Sequence, residues 1–556
     1  MTDTAEGPFE WGTTVSRRTG SFIPFLMYEP RRRHLLELLD DVARWPGRDL
    51  IVQGDRRMST EQFLGAVDLV AAHLTKQGVG PGDRVMLLAP NSAEWVVTFW
   101  AAVAAGAVVA LGNGWWSADE VAHAVDLLAP ALVVGDDRRL EHIGDGPARL
   151  PTTELQGIVD ESPSRDSGAS PASPVGNGPP PIPPGQEDDP AVIVFTSGTT
   201  GLPKGAVLAH RSIIANLHNL LAVTKRLPDT LPPDSRGHVN LHTFPLFHIG
   251  GIQVMCFGLV TGGTLVFLEG RFETGKVLDA IERERVDVWG AVPTMALRVL
   301  DDPTLRQRDL SGIRSISLGG APVPAELVGR LHAAFPDARR GVSTAYGMTE
   351  AGGTVAAGSG AVMAEHPGTS GRALPVVELR IDEPDDSGAG EILVRTPGQM
   401  LGYWNDAAGT PIDGDGFLRT GDLGRVDDGL LWVVGRTKDV VIRGGENIAA
   451  PRVEAVLLEH PDVAEVAVVG LPDPVWGEEV GAAVVARSGT TPATDALAEF
   501  AAGRLAHFEV PARWWLRDQP LPVNDAGKVD KRALKTAWPT QDLTRSEPMT
   551  TPKERG

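Results

Sequence analysis

Cysteine is almost missing from this chain: Cys256 is the sole one among 556 residues. That excludes a disulfide framework and a Cys-rich metal site, and it fits a reducing, cytoplasmic setting. Met255 and Phe257 flank Cys256 and read as core, so no nucleophilic role is expected of it. Basic residues are in short supply, 51 against 72 acidic ones, for a formal net charge of -21. This balance argues against broad electrostatic binding to nucleic acid or to an anionic membrane. An anionic substrate must therefore be met by local positive groups. Long apolar runs are also lacking. The most apolar stretch, Trp100 to Leu111, is short and rich in Ala and Gly, which suits a tightly packed core better than a membrane span. The first residues include Asp3, Glu6 and Glu10 without an apolar core, so no secretion signal is expected. No internal repeat is found.

What is present is ordinary globular material, 42% hydrophobic and 22% charged, in a chain too long for one core. Up to about Val134 the pattern alternates helices and short strands. Leu35 to Trp45 and Glu61 to Gln77 have helical spacing, Arg84 to Ala89 reads as a strand, and a helix follows from about Ser92. This rhythm predicts an α/β fold with strands flanked by helices. From Glu161 to Gln186, 8 Pro, 5 Ser and 4 Gly leave no material for a core, and the segment is expected to be a flexible surface excursion. α/β patterning returns from Ala191 to about Val434. The last hundred or so residues have a pattern of their own: helix at Pro451 to Glu459, strands at Val463 to Leu471 and Val480 to Ala486, helix at Asp495 to Leu505, and a polar tail after Trp538.

The strongest chemical signal lies at Val192 to His210. An apolar strand, Ala191 to Phe195, runs into Thr196, Ser197, Gly198, Thr199, Thr200, Gly201, Leu202, Pro203, Lys204 and Gly205. Glycines let such a backbone bend closely around phosphate oxygens; N–H groups and hydroxyls donate to them, and Lys204 adds charge. The common P-loop ends in Gly-Lys-[Ser/Thr] and opens a helix at once. Here Gly205 follows the lysine and a helix is expected only near Ser212, which disfavours a P-loop kinase or GTPase. A Gly/Ser/Thr stretch by itself is usually a loop; ten such residues after a buried strand are harder to dismiss.

The stretch TSGTTGLPKG resembles the signature loop of the adenylate-forming superfamily, which comprises acyl-CoA synthetases, peptide-synthetase adenylation domains and luciferases. Further motifs follow in family order, so the resemblance covers nearly the whole chain, and it is closest to fatty-acid–CoA ligases. It implies a large N-terminal α/β domain of several subdomains, residues 1–437, and a small mobile α+β domain, residues 438–556. It also implies ATP, Mg²⁺ and coenzyme A as cofactors and a carboxylic acid as substrate.

Residue by residue, the resemblance assigns these roles. FPLFHIGG, Phe244 to Gly251, is similar to the segment bordering the acyl pocket and makes His248 an aromatic gate between acyl and thiol sites. Beside Phe247, a histidine without this motif would read as core. Gly250 and Gly251 are expected to leave room for a substrate chain. LGGAPV, Leu318 to Val323, places Gly320, Ala321 and Pro322 against adenine; alone it is no better than any strand-end turn. STAYGMTEAGG, Ser343 to Gly353, places Tyr346 beside the base, Thr349 on the α-phosphate and Glu350 on Mg²⁺, a cation that favours a carboxylate together with phosphate oxygens. The plainer reading is a helix capped by Thr349 with Glu350 in its first turn. Between Gly416 and Ile448, Asp422 would accept two hydrogen bonds from the ribose diol, Arg436 would contact ribose or phosphate, and Lys438 would be the interdomain hinge. Gly444 and Gly445 would border the pantetheine path. Lys528, within LPVNDAGKVDKRAL, would be the catalytic lysine of adenylation.

One departure stands out. After GGENI many relatives carry an aromatic residue, Pro and an acid, whereas this chain has Ala449, Ala450, Pro451 and Arg452. The acceptor is therefore less firmly implied than the adenylation, and a carrier-protein thiol or an amine is the alternative. No carrier domain is expected in this chain. A catalytically silent binding protein is disfavoured, because Lys204, Glu350, Asp422, Arg436 and Lys528 are all in place. A medium or long fatty acid, an aryl acid or a sterol side-chain acid would each fit an apolar pocket, and a homodimer is compatible with the sequence.

Overall fold

A computed structural model describes residues 9–18, 23–160, 186–197, 202–320, 323, 325–338, 341–405, 410–437, 440–443, 446–523 and 528–539. The expected flexible excursion after Glu161 and the polar tail lie almost wholly outside these residues. Contacts divide the chain into two compact units. The first comprises 1–320, 329–380 and 393–420; the second comprises 321–328, 381–392 and 421–556. Among the described residues, no helix is long and apolar enough to cross a membrane.

The first unit contains two sheets. One is ordered Gly402–Tyr403, Pro203–Ala209, Pro190–Ser197, Val108–Leu111, Arg84–Leu88, Leu132–Gly135, Ala148–Pro151. Its five strands from Pro190–Ser197 to Ala148–Pro151 are parallel. Strands such as VVAL at Val108–Leu111 are buried throughout, as a sheet covered on both faces requires. The helix Ala93–Ala104 supplies cover; Ser92 caps it by accepting from the Trp95 N–H, and Trp95 and Trp100 are almost wholly buried. Each such side chain contributes roughly 1.5–3 kcal/mol by leaving water. The expected helix from about Ser92 and the core reading of Trp100 to Leu111 are both met.

In the second sheet, six adjacent parallel strands run Asp49–Gln53, Thr264–Phe267, Val239–His242, Val288–Ala291, Ser315–Gly319 and Val342–Met348. Beyond them, Gly353–Gly358 pairs antiparallel with Val342–Met348. In the second unit, long antiparallel strands Val463–Asp473 and Gly477–Ala486 are joined by Arg513–Arg517, with helices Ala450–Leu458 and Thr494–Ala502 packed on one core and Leu521 and Leu534 in another.

Two expectations need correction. The first helix spans only Glu37–Ala43; Pro46 disfavours helical geometry at Trp45 and so ends it early. The segment Pro203–Ala209 is a strand, antiparallel to Pro190–Ser197, and the helix after it starts at His210. Pro203 and Gly205 disguise that strand in the sequence, yet Pro is tolerated at a strand start. The phosphate loop therefore joins two antiparallel strands instead of running from strand to helix.

Charge also fastens this unit. Glu378 accepts from both Arg395 and Arg17 at 2.8–3.2 Å. Partial burial would raise its pKa, but the two guanidiniums outweigh burial and hold it at about 2. A carboxylate depressed in the folded state lends stability above its unfolded pKa of about 4.3 and loses it as pH falls towards the folded value. Glu378→Gln should therefore lower the urea midpoint at pH 7, and the gap from wild type should shrink steadily between about pH 4.3 and about pH 2. Urea titrations at pH 7, 4, 3 and 2 check this, and a gap constant with pH would contradict it.

Candidate active site

Ligands of open α/β sheets sit beyond the carboxyl ends of the parallel strands. Four neighbouring strands of the second sheet deliver the motifs there together. Val239–His242 leads to the segment containing His248, Val288–Ala291 leads to the AVPTM turn, Ser315–Gly319 ends at Gly320, and Val342–Met348 carries Tyr346 and leads to Thr349 and Glu350. The register sets Gly319 opposite Ala345, one residue before Tyr346. Gly320 has φ of 81°, a left-handed conformation that a glycine adopts readily.

His248 is the residue before the helix Ile249–Val260 and is half-buried. Its ring centroid lies 4.5 Å from that of Phe247, and Phe247 meets the half-exposed Trp115 edge-on at 5.2 Å. Asn91 fixes this segment by donating to the Phe244 carbonyl and accepting from the Leu246 N–H, both at 2.8 Å. The paired glycines part company here. A Cβ on Gly250 would meet nothing within 4 Å, whereas one on Gly251 would lie 2.3 Å from the Pro245 carbonyl oxygen. Only Gly250 borders open space; Gly251 serves backbone packing, contrary to the expectation that both leave room for substrate.

Thr349 opens a single 3-10 turn, Thr349–Ala351, whose cap is Met348, so the reading of Thr349 as a helix cap is corrected. Glu350 accepts a hydrogen bond from the Tyr403 hydroxyl at 2.9 Å. The Lys204 ammonium lies 5.3 Å from the centroid of the same tyrosine ring. Lys204 also stands opposite Thr196 in the loop hairpin. One aromatic side chain thus brings together the loop lysine and the expected metal carboxylate. Sequence reading missed Tyr403, although a signal existed: the chain has only 3 tyrosines, and two of them, Tyr346 and Tyr403, belong to this site. It missed Gln253 as well, whose Nε2 donates to the Gly352 carbonyl and whose Oε1 accepts from Thr354, bracing the turn after Glu350.

In the second unit, Asp422 and Arg436 are cross-strand partners joined by an ion pair of 2.8 Å. Asp422 is buried and Arg436 exposed. Arg452 replaces the usual acid but pairs with Glu509 at 3.0 Å, and Ala449 precedes a helix with Pro451 in its first turn. The departure at 449–452 is thus absorbed structurally. Lys528 is half-buried beside Val529, which bridges to Val523. Gly198, Thr199, Thr200, Ala321, Pro322, Lys438, Gly444 and Gly445 lie outside the described residues, as does the side chain of Ser197.

The sequence matches the family described as AMP-binding enzyme over residues 38–404, and that family's C-terminal domain over 452–528. Feruloyl-CoA synthase from Amycolatopsis sp is 34% identical over 497 residues, covering 87% of this chain and 95% of that protein. Indoleacetate–CoA ligase of Aromatoleum aromaticum is 34% identical, covering 87% and 94%. Among solved structures, ATP-bound MatB from Rhodopseudomonas palustris superposes with a TM-score of 0.77 at 28% identity, covering 90% of this chain and 98% of that one. The chain belongs to the AMP-binding enzyme family. It is an adenylate-forming ligase of the acyl-CoA synthetase kind, with ATP and coenzyme A as substrates: it makes an acyl-adenylate and passes the acyl group to the thiol.

The two glycines provide a test. Gly250→Ala should keep the melting temperature, or raise it slightly through helix propensity, while altering KM for the acid. Gly251→Ala should lower the melting temperature by several degrees. Thermal melts of both variants, with acid-dependent kinetics for the first, check this; equal melting temperatures would contradict the assignment.

Proposed function

We propose that the chain activates an apolar, ring-bearing carboxylic acid, with the phosphates and the metal held around Lys204 and Glu350. The observation that carries this reading is the convergence of Glu350 and Lys204 on Tyr403. The ring-bearing acid is supported by Trp115, Phe247 and His248 in contact beside the open space at Gly250. Feruloyl and indoleacetate, named for two relatives, are acids of this kind. The lone, buried Cys256 supports a cytoplasmic setting.

Among the described residues no cluster of three metal-ligating side chains occurs. A single carboxylate, Glu350, with substrate phosphate oxygens suits Mg²⁺, which keeps several waters and takes few protein ligands. When bound, the ion neutralises phosphate charge. The loop residues Thr196, Ser197, Gly198, Thr199 and Thr200 donate to the phosphates together with Lys204. Thr349 donates to the α-phosphate, Gly320, Ala321, Pro322 and Tyr346 border the adenine, and Asp422 and Arg436 hold the ribose. A substrate carboxylate oxygen attacks the α-phosphorus, the bond to pyrophosphate breaks, and Lys528 stabilises the charge that develops. Holding the reactants in line supplies a further large factor. The coenzyme A sulfur then attacks the acyl carbon past His248 and along Gly444 and Gly445, and AMP leaves.

The two steps need Lys528 first present and then withdrawn, with residues 438–556 turning about Lys438. The likeness of GRTKD to the family's interdomain crossing supports this. Thr437 donates to the Gly421 carbonyl at 2.9 Å, and Arg436 pairs with Asp422, so the strand is clamped up to residue 437. Pairing resumes at Val440 with Ala449.

Acid-dependent release of AMP and pyrophosphate should be seen with arylpropenoic and arylacetic acids, and acyl-CoA should form when coenzyme A is added. Preference for fatty or amino acids would overturn the ring-bearing class, and pyrophosphate release indifferent to coenzyme A would point to a carrier-protein thiol. Lys528→Ala should lower adenylate formation by at least about a hundredfold while a supplied acyl-adenylate still reacts. Lys438→Pro should do the reverse. Equal loss of both steps in either variant would count against alternation.

A further inference from the structure

We propose that Tyr403 is a positioning residue that aims the Glu350 carboxylate and the Lys204 ammonium at one metal–nucleotide complex, and that residues 400–404 are the strap that holds it there. The proposal rests on the assignment of Glu350 and Lys204 given above and adds a residue and a segment to it.

The strap is built from backbone. The Met400 N–H donates to the Glu350 carbonyl at 2.9 Å, the Leu401 N–H to the Val207 carbonyl at 2.8 Å, and the Trp404 N–H to the Gly205 carbonyl at 2.8 Å. Gly402 and Tyr403 pair antiparallel with Val207 and Ala206 of the loop hairpin. Gly402 has φ of 151°, and a Cβ there would lie 2.8 Å from Thr410 Cγ2, so the bend into the pairing is reserved for glycine. One short segment therefore binds the turn of Glu350 at one end and the strand of Lys204 at the other.

The side chain follows from the register. Tyr403 stands opposite Ala206, and Lys204 lies two residues from Ala206, on the same face of its strand. Diagonal neighbours across an antiparallel pair are within reach of aromatic and long side chains. The ring thereby receives Lys204 at 5.3 Å, inside the range of a cation–π contact. The hydroxyl reaches Glu350 Oε1 at 2.9 Å.

The chemistry suits a metal–nucleotide site. A phenol is a neutral donor at ordinary pH, so it fixes the carboxylate without cancelling its charge. An ionised carboxylate offers about four lone-pair sites, and the phenol occupies one. A ring face likewise contacts an ammonium without neutralising it.

The test is a set of binding titrations on the full chain with Mn²⁺, ATP and the non-reactive α,β-methylene analogue of ATP. Tyr403→Phe keeps the ring and removes the hydroxyl. It should weaken Mn²⁺ affinity in the analogue complex about tenfold, by electron paramagnetic resonance, while metal-free ATP affinity by calorimetry stays unchanged. Tyr403→Leu removes the ring too and should weaken metal-free ATP binding as well. A purely structural role would move both affinities together in Tyr403→Phe, and that result overturns the proposal. In the Glu350→Gln background, Tyr403→Phe should have no further effect on Mn²⁺ affinity; full additivity overturns the coupling, and this comparison serves if the single variant folds poorly. If Glu350→Gln alone leaves Mn²⁺ affinity intact, the metal assignment of Glu350 fails and the proposal falls with it. If Glu350→Gln weakens Mn²⁺ binding and Tyr403→Phe does not, only the role of Tyr403 fails.

Discussion

The ion cluster at the base of the loop hairpin is the constraint on which the site depends. Glu187 and Asp188 precede the strand Pro190–Ser197, and Arg211 lies in the first turn of the helix that follows Pro203–Ala209. Arg211 pairs with Asp188 at 2.6 Å and donates to the Pro397 carbonyl, and Arg31 forks onto Glu187 at 3.0–3.2 Å. Burial pulls the Arg211 guanidinium below its usual range, only partly offset by Asp188. A buried charge of this kind is stable only with its partners in place, so the cluster is costly to disturb. It ties both ends of the hairpin together, and through Pro397 it reaches the segment that becomes the strap. The phosphate loop is therefore presented on a frame closed at its root.

On that frame two sheets converge. The parallel strands of the second sheet bring His248, Gly320, Tyr346 and Glu350 to one set of carboxyl ends, while the first sheet brings Lys204 by way of its antiparallel edge. Residues 400–404 connect them through backbone hydrogen bonds. The helix after His248 takes part too, since Gln253 reaches the Gly352 carbonyl and Thr354. Positioning here comes from backbone and neutral polar contacts.

Much of the order of elements was legible in the sequence from its helical and strand spacing, and the phosphate loop stood out because it follows the apolar strand Pro190–Ser197. What was hidden is what pairing alone decides. Pro203–Ala209 reads as loop because Pro203 and Gly205 are poor strand formers, yet the neighbouring strands make it one. Gly250 and Gly251 are equivalent as letters; only the Pro245 carbonyl tells them apart. Asp422 and Arg436 can each be assigned to a ligand from the motif, but their pairing across the hairpin depends on register. Tyr403 lies more than fifty residues from Glu350, and no local spacing announces a contact made through a third strand.

The distribution of charge explains why such neutral scaffolding is needed. A chain of net charge -21 repels the polyanion it must bind, so attraction has to come from a few cations close to the phosphates. Elsewhere on this protein, arginines are commonly spent on carboxylates: Arg56 on Glu94 and Asp160, Arg380 on Asp413 and Asp415, Arg395 on Glu378. An aromatic face is a neutral contact for an ammonium, and a phenolic hydroxyl is one for a carboxylate. One tyrosine thus touches both Lys204 and Glu350, and brings to one place a group suited to phosphate and a group suited to a cation.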